Sequence, residues 1–194
     1  MKMKRGKQLG ILASVLAAAI ALPGVAAGQT LCFDAVTAGK LEAPMEIESA
    51  SNAPVELRAF LAKGVPDGTY LTLAQGKGYP PAMTAGMAAF TFTIANAGDY
   101  YLWCRTWWLD ECSNSFWINI DDAKPFIFGE DSTFKTWHWV RAPLRLKQLT
   151  LAQGTHTLTF RNREDGVYLN QILLTPDKKY VPVDLETVTS GVAP

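Results

Sequence analysis

Histidine is scarce in this chain, with only His138 and His156 among 194 residues. Cysteine is nearly as scarce: Cys32, Cys104 and Cys112, with no C-x-x-C pair. A zinc or redox site built on such spacing is therefore unsupported. No serine sits in a G-x-S-x-G elbow and neither histidine has a nucleophile beside it, which leaves triad chemistry without a footing. Both histidines read as surface or hydrogen-bonded strand residues. Beyond the N-terminal segment there is no apolar run of membrane-spanning length. There is no internal repeat and no low-complexity linker. Basic charge is not in excess either. Four of the 18 Lys and Arg residues fall within the first seven positions, so 14 remain against 18 acidic residues, a net charge of −4. A mildly acidic chain lacks the electrostatic footprint for nucleic acid or for an anionic membrane.

The N-terminus carries a different pattern. Lys2, Lys4, Arg5 and Lys7 precede an apolar or small-residue run from Ile11 to Leu22. Pro23 and Gly24 break the run, and Val25-Ala26-Ala27-Gly28 offers small residues for cleavage. This is the three-part layout of a secretory signal peptide over residues 1–28; an uncleaved N-terminal anchor is the alternative. Gln29-Thr30-Leu31 before Cys32 lacks the small residues of a lipobox. The expected mature protein is secreted, whether extracellular, periplasmic or at the cell surface. Its roughly 166 residues suit one domain.

What the mature chain does have is short strands between turns. Phe90, Phe92 and Ile94 alternate with Thr91 and Thr93, the pattern of a half-buried strand. Tyr70–Leu73, Tyr100–Thr106, Phe116–Ile120, Pro125–Phe128, Trp137–Arg141 and Tyr168–Leu174 read as further strands. Leu149–Leu151 and His156–Phe160 read as a hairpin about Gly154. Residues 56–63 are one or two helical turns bounded by Pro54 and Gly64. Many short strands at this spacing predict an all-β fold, an antiparallel sandwich or barrel. The tail after Pro182 reads as short and loosely ordered.

Trp107 and Trp108 are adjacent, so on a strand they face opposite sides and cannot enter one core. One of them is expected at the surface, beside Asp110, Glu111, Ser113 and Asn114. An indole that stacks on a sugar, with polar neighbours for its hydroxyls, makes a selective small-ligand site. The candidate carbohydrate-binding residues are Trp107, Trp108, Asp110 and Asn114; capping of the sandwich core is the other reading of the two indoles. Trp137 and Trp139 share a face two residues apart and are expected in the core rather than in a platform. The carboxylates Asp110, Glu111, Glu130 and Glu164 show no spacing that selects a glycosidase pair. Cys104 and Cys112, with seven residues between them, are expected to form a disulfide across a short loop. Cys32 is then left free, or pairs with a partner chain.

Several segments, in order, resemble a known family. Tyr100-Tyr101-Leu102-Trp103-Cys104-Arg105 is similar to its "aG-Y-x-lW-x-R" strand, and Asn114–Asp121 to its "nSf-x-v-x-vDg" strand. Trp137-His138-Trp139 resembles its "W-x-W" strand, Gly154–Leu158 its "aGtHtL", and Arg163-Glu164-Asp165-Gly166 with Leu169–Thr175 its "rEdG…lD-x-i-lLt". Met45–Glu48 and Gly68–Leu71 give weaker matches to its opening strands. The chain thus resembles carbohydrate-binding modules of families 6 and 35 over residues 44–182, after an N-terminal segment at 29–43 and before a C-terminal tail at 183–194. The resemblance implies a galactose-binding-like jelly roll, a polysaccharide or other glycan as partner, and a structural calcium. Two acids on one side of a strand, Glu46 and Glu48, repel unless a cation lies between them. In the family such a pair binds calcium together with a late Asp of the last strand. Asn170 stands at that position here and supplies a neutral oxygen; a backbone carbonyl of the Asp67–Thr69 loop would complete the set. The sequence therefore reads as a secreted, non-catalytic carbohydrate-binding protein. The alternative is a structural cell-surface or matrix subunit that keeps the fold without the sugar site.

Overall fold

The computed structural model describes residues 28–65, 67–77, 85–142 and 148–189. Except for Gly28, the expected leader lies outside these residues.

Among these residues twelve strands and one α-helix follow in chain order: β1 (Leu31–Asp34), β2 (Lys40–Glu42), β3 (Glu46–Ser49), α1 (Val55–Ala62), β4 (Thr69–Leu73), β5 (Met87–Ile94), β6 (Gly98–Trp108), β7 (Ser115–Ile120), β8 (Phe126–Gly129), β9 (His138–Arg141), β10 (Leu149–Leu151), β11 (Gly154–Arg161) and β12 (Val167–Thr175). They form two antiparallel sheets. The larger runs β10-β6-β12-β4-β3, with β9 beside β10 on one edge of β6 and β1 beside β4 on one edge of β12. The smaller runs β2-β5-β11-β7-β8.

Alternation along each strand decides what goes inside. Phe90, Phe92 and Ile94 of β5 share the inner face as their spacing predicts, with Leu158 and Phe160 of β11 and Phe116 and Ile118 of β7. Leu102, Cys104 and Trp108 of β6 and Leu169, Ile172 and Leu174 of β12 meet them from the larger sheet. This is the β-sandwich that the resemblance implies. All nine residues of β12 are buried, so its outer face is covered as well. Part of that cover is a second apolar cluster of Ala50, Ala53, Leu61, Tyr70, Trp107 and Tyr168, with Leu57 of α1 packed on it. The rest is the C-terminal segment. The Thr189 N–H donates to the Cys32 carbonyl and the Cys32 N–H to Thr189 Oγ1, and Glu186 donates its N–H to Gln171 Oε1.

Three expectations change here. Leu149–Leu151 and the strand after Gly154 do not form a hairpin: β10 pairs with β6 and β11 with β5, so the Gly154 turn carries the chain from one sheet to the other. The segment 29–43 is integral to the sandwich, since β1 pairs with β12 and β2 with β5. The tail from 183 to 189 is held by side-chain and backbone hydrogen bonds rather than loose.

Candidate functional site

The outer face of the larger sheet is where the described surface combines aromatic, polar and charged groups. Strand β6 is the reason. Its inner residues are apolar apart from Thr106, but Tyr101, Trp103, Arg105 and Trp107 alternate outward. Trp107 is then roofed by α1. At the edge of that roof a pocket of about 380 Å³ opens between the end of α1 and the start of β9. Phe60, Lys63, Gly64, Arg105, Lys135, Thr136, Trp137 and Asp184 line it. Phe60 is 52% exposed. It sits on the helix between Ala59 and the buried Leu61, so its ring turns away from the second cluster. Trp137 is half-buried: its Nε1 donates to the Leu61 carbonyl at 3.0 Å, which fixes the indole against α1.

Arg105 forms the floor. It is only 6% exposed. Its guanidinium lies 5.4 Å from the Trp137 ring centre, and Nη1 donates to Asn170 Oδ1 at 2.8 Å. Burial pulls the Arg105 pKa below its ordinary value, with Asp184 opposing. Asn170 reaches it because β12 shifts register between Leu169 and Gln171; such a bulge re-aims one side chain out of the ladder. On the far side of Asn170 lies a second pocket of about 220 Å³ with the opposite charge, lined among others by Asp34, Asp67, Thr69, Gln171 and Glu186. The Arg105–Asn170 bond is thus the wall between a cationic and an acidic recess.

The structure places the expected site residues elsewhere. Trp107 and Trp108 are both 0% exposed and present no platform. They do face opposite sides, but each side has a core. Trp108 enters the sandwich, and its Nε1 donates to Asp131. Trp107 enters the cluster under α1, edge-on to Tyr168 with ring centres 5.1 Å apart. Asp110 accepts from the Cys112 N–H and so closes its own turn. Asn114 is buried; its amide donates to the Asp131 carbonyl, and its backbone N–H to Glu164. Trp137 and Trp139 share the outer face rather than the sandwich core, and Trp139 Nε1 donates to the Asp184 carbonyl. Glu130 and Glu164 both pair with Arg163.

The expected disulfide is not formed. Cys104 points into the sandwich core from β6, while Cys112 lies on the exposed turn beyond it. Strand alternation directs the first thiol away from that turn. Cys32 is also a free thiol. It is buried under the C-terminal segment, which leaves a cysteine-linked partner unsupported.

The expected calcium ligands are not brought together. Glu46 and Glu48 do share a side of β3, and Lys77 ion-pairs with both, closely with Glu46 and at 3.7 Å with Glu48. An ammonium thus supplies the positive charge that two adjacent acids need. Asn170 is on β12, and β4 lies between β12 and β3. Two strand spacings are roughly 10 Å, and its Oδ1 is engaged by Arg105. Among the described residues no group of three or more His, Cys, Asp or Glu side chains could hold a metal.

Sequence reasoning missed Phe60, Lys63, Arg105 and Lys135. One trace of the site was legible: an arginine set among outward-facing aromatics at spacing two, Tyr101, Trp103, Arg105, Trp107. Nothing in the local pattern joins that strand to residues 60–64 or 135–137.

The fold has known counterparts. It is the β-sandwich of carbohydrate-binding modules of families 6 and 35. A family 35 carbohydrate-binding module from Clostridium thermocellum superposes with a TM-score of 0.53 at 12% identity, over 77% of this chain and 99% of that one. The C-terminal family 6 module of a marine laminarinase from Zobellia galactanivorans gives 0.50 at 14%, over 76% and 99%. The exo-β-1,3-galactanase of Phanerochaete chrysosporium gives 0.52 at 15%, over 77% of this chain but 29% of the enzyme, so this chain spans under a third of that protein. No protein-family model and no curated sequence matches the chain.

Proposed function

We propose that this is an exported, non-catalytic carbohydrate-binding protein that takes its glycan in the pocket between α1 and β9. The observation that carries the proposal is the exposed Phe60 ring beside Trp137, over a floor of hydrogen-bond donors from Arg105, Lys63, Lys135 and Thr136. A flat apolar ring next to a few directed polar groups suits the two faces of a sugar, and the pocket falls within the roughly 300–1,000 Å³ of small-ligand sites. The fold supports the same reading, because its structural neighbours include modules named for carbohydrate binding. Export rests on the N-terminal sequence pattern. The absence of chemistry rests on the carboxylates: Glu130 and Glu164 are tied to one arginine, and among the described residues Asp184 is the only acid lining the pocket.

A glycan array with the purified mature protein tests the proposal directly. Binding to at least one polysaccharide is expected. Phe60→Ala should weaken it about tenfold, taking stacking at the low end of the 1–3 kcal/mol found for aromatic–base contacts. A clean array would favour the structural-subunit alternative, and a Phe60→Ala protein that binds like the parent would move the platform elsewhere.

A further inference from the structure

The pocket carries more positive charge than a neutral sugar needs. Arg105 is nine-tenths buried, and no carboxylate lies within ion-pair distance of it among the described residues. Among the described residues its side chain has one hydrogen bond, to a neutral amide, from Nη1 to Asn170. A buried cation without a paired anion is costly, so an arginine held this way is matched to something that arrives from outside. Gly64 lies beside the other end of the guanidinium. Its φ is +77°, and a Cβ placed there would lie 3.0 Å from Arg105 Nη2. Any larger residue would crowd that group. Lys63 and Lys135 line the same pocket, are exposed, and have no ion pair among the described residues. Lys135 is held with φ at +58°, its N–H donating to the Trp108 carbonyl, so the backbone fixes where this lysine starts. Among the described residues Asp184 is the one opposing carboxylate; three cations there face a single acid.

We infer that this pocket takes an anionic sugar, its carboxylate or sulfate oxygens bound by Arg105 Nη2 with Lys63 and Lys135 flanking and its ring lying against Phe60. Arginine suits this role because a planar guanidinium presents directed donors to oxyanions and sheds water more easily than an ammonium. The acidic recess beyond Asn170 sets the polarity: Asp34, Asp67 and Glu186 repel an anion that approaches from that side. The inference deepens the sugar-binding reading and rests on it.

The test is calorimetric titration of the mature protein with three probes: an oligogalacturonate, its methyl ester, and a sulfated galactan oligomer. At low salt (about 50 mM) at least one charged probe should bind about tenfold more tightly than the ester, and the advantage should shrink at about 500 mM. The tighter of the two charged probes identifies the anion. Arg105→Met should abolish the preference. Because that variant removes a buried group, Lys63→Gln with Lys135→Asn is the companion: both positions are exposed, and asparagine tolerates a positive φ. This double variant should keep the parent's melting temperature and lose most of the preference. Neither charged probe binding more tightly than the ester, or a double variant with the parent's preference, would overturn the inference. If neutral glycans on the array bind while neither charged probe has an advantage, only the anion falls. If no glycan of any kind binds, the sugar-binding reading falls with it.

Discussion

Trp107 and Trp108 show how much one residue's role depends on what covers it. Strand alternation correctly puts them on opposite faces, but whether the outer one meets water depends on a helix far away in sequence. Residues 55–62 carry Leu57 and Leu61 against the sheet, and Trp107 disappears beneath them. Trp107→Ala should therefore cost about 3–5 kcal/mol of stability, as for other large buried aromatics. Phe60→Ala should stay within about 0.5 kcal/mol, as surface changes do. Thermal or denaturant melts of the two variants check this; equal losses would mean that Phe60 is not the exposed ring described. The cysteines follow the same logic. Cys104 is sealed in the core, where burial pushes its thiol well up, while Cys112 is open. Burial first, with Asp34 and Glu186 adding to it, raises Cys32 to about 12. One thiol, Cys112, should react promptly with a thiol reagent in the native protein, and all three in denaturant. No rapid native reaction, together with a mass two hydrogens light, would restore a disulfide.

At the scale of elements, the strands were legible because period-two alternation is local. Phe90–Ile94 and Tyr100–Thr106 are found where the sequence puts them, each extended by a few residues. Strand partners were not legible, because pairing joins distant segments. Leu149–Leu151 and His156–Phe160 look like a hairpin, yet the two strands belong to different sheets. The expected calcium ligand set is not brought together for the same reason. It required β3 and β12 to be neighbours, and β4 intervenes. Lys77 then meets Glu46 and Glu48, with a quarter to a half of these side chains exposed. Pairs this exposed are worth about 0–1 kcal/mol. The melting temperature should accordingly ignore both calcium and chelator, and Lys77→Gln should destabilise by no more than about 1 kcal/mol. A melting temperature that climbs with calcium would show an ion taking the ammonium's place between the two acids.

At the scale of the whole molecule, the chain's ends complete the fold. The sequence after Pro182 has no strand pattern, and its polar residues suggest solvent. In the structure those residues are spent on the larger sheet. Gln171 and Glu186 bond reciprocally, the Gln171 amide giving to the Glu186 carbonyl and the Glu186 N–H to Gln171 Oε1. The Glu186 carboxylate accepts from Tyr180 and from the Val183 N–H, which folds the segment into a clasp. Thr189 closes over Cys32 from the end of the clasp. Asp184, the acid of the cationic pocket, is fixed by the Trp139 indole through its carbonyl. The clasp therefore covers β1 and β12 and helps to shape both recesses. Ending the chain at Pro182 removes these bonds and bares the buried backbone of β1. At about 1 kcal/mol net for each hydrogen bond lost from the sheet side, the loss should be on the order of 2–4 kcal/mol. Cys32 would lose both its roof and the Glu186 charge that helps to raise its pKa, so its thiol should become reactive beside Cys112. Two measurements follow from one truncated protein: a lower melting temperature, and two fast-reacting thiols where the parent has one. A truncated chain that melts like the parent with a single reactive thiol would mean that the sandwich is complete without its clasp, and that Cys32 is sealed by β1 and β12 alone.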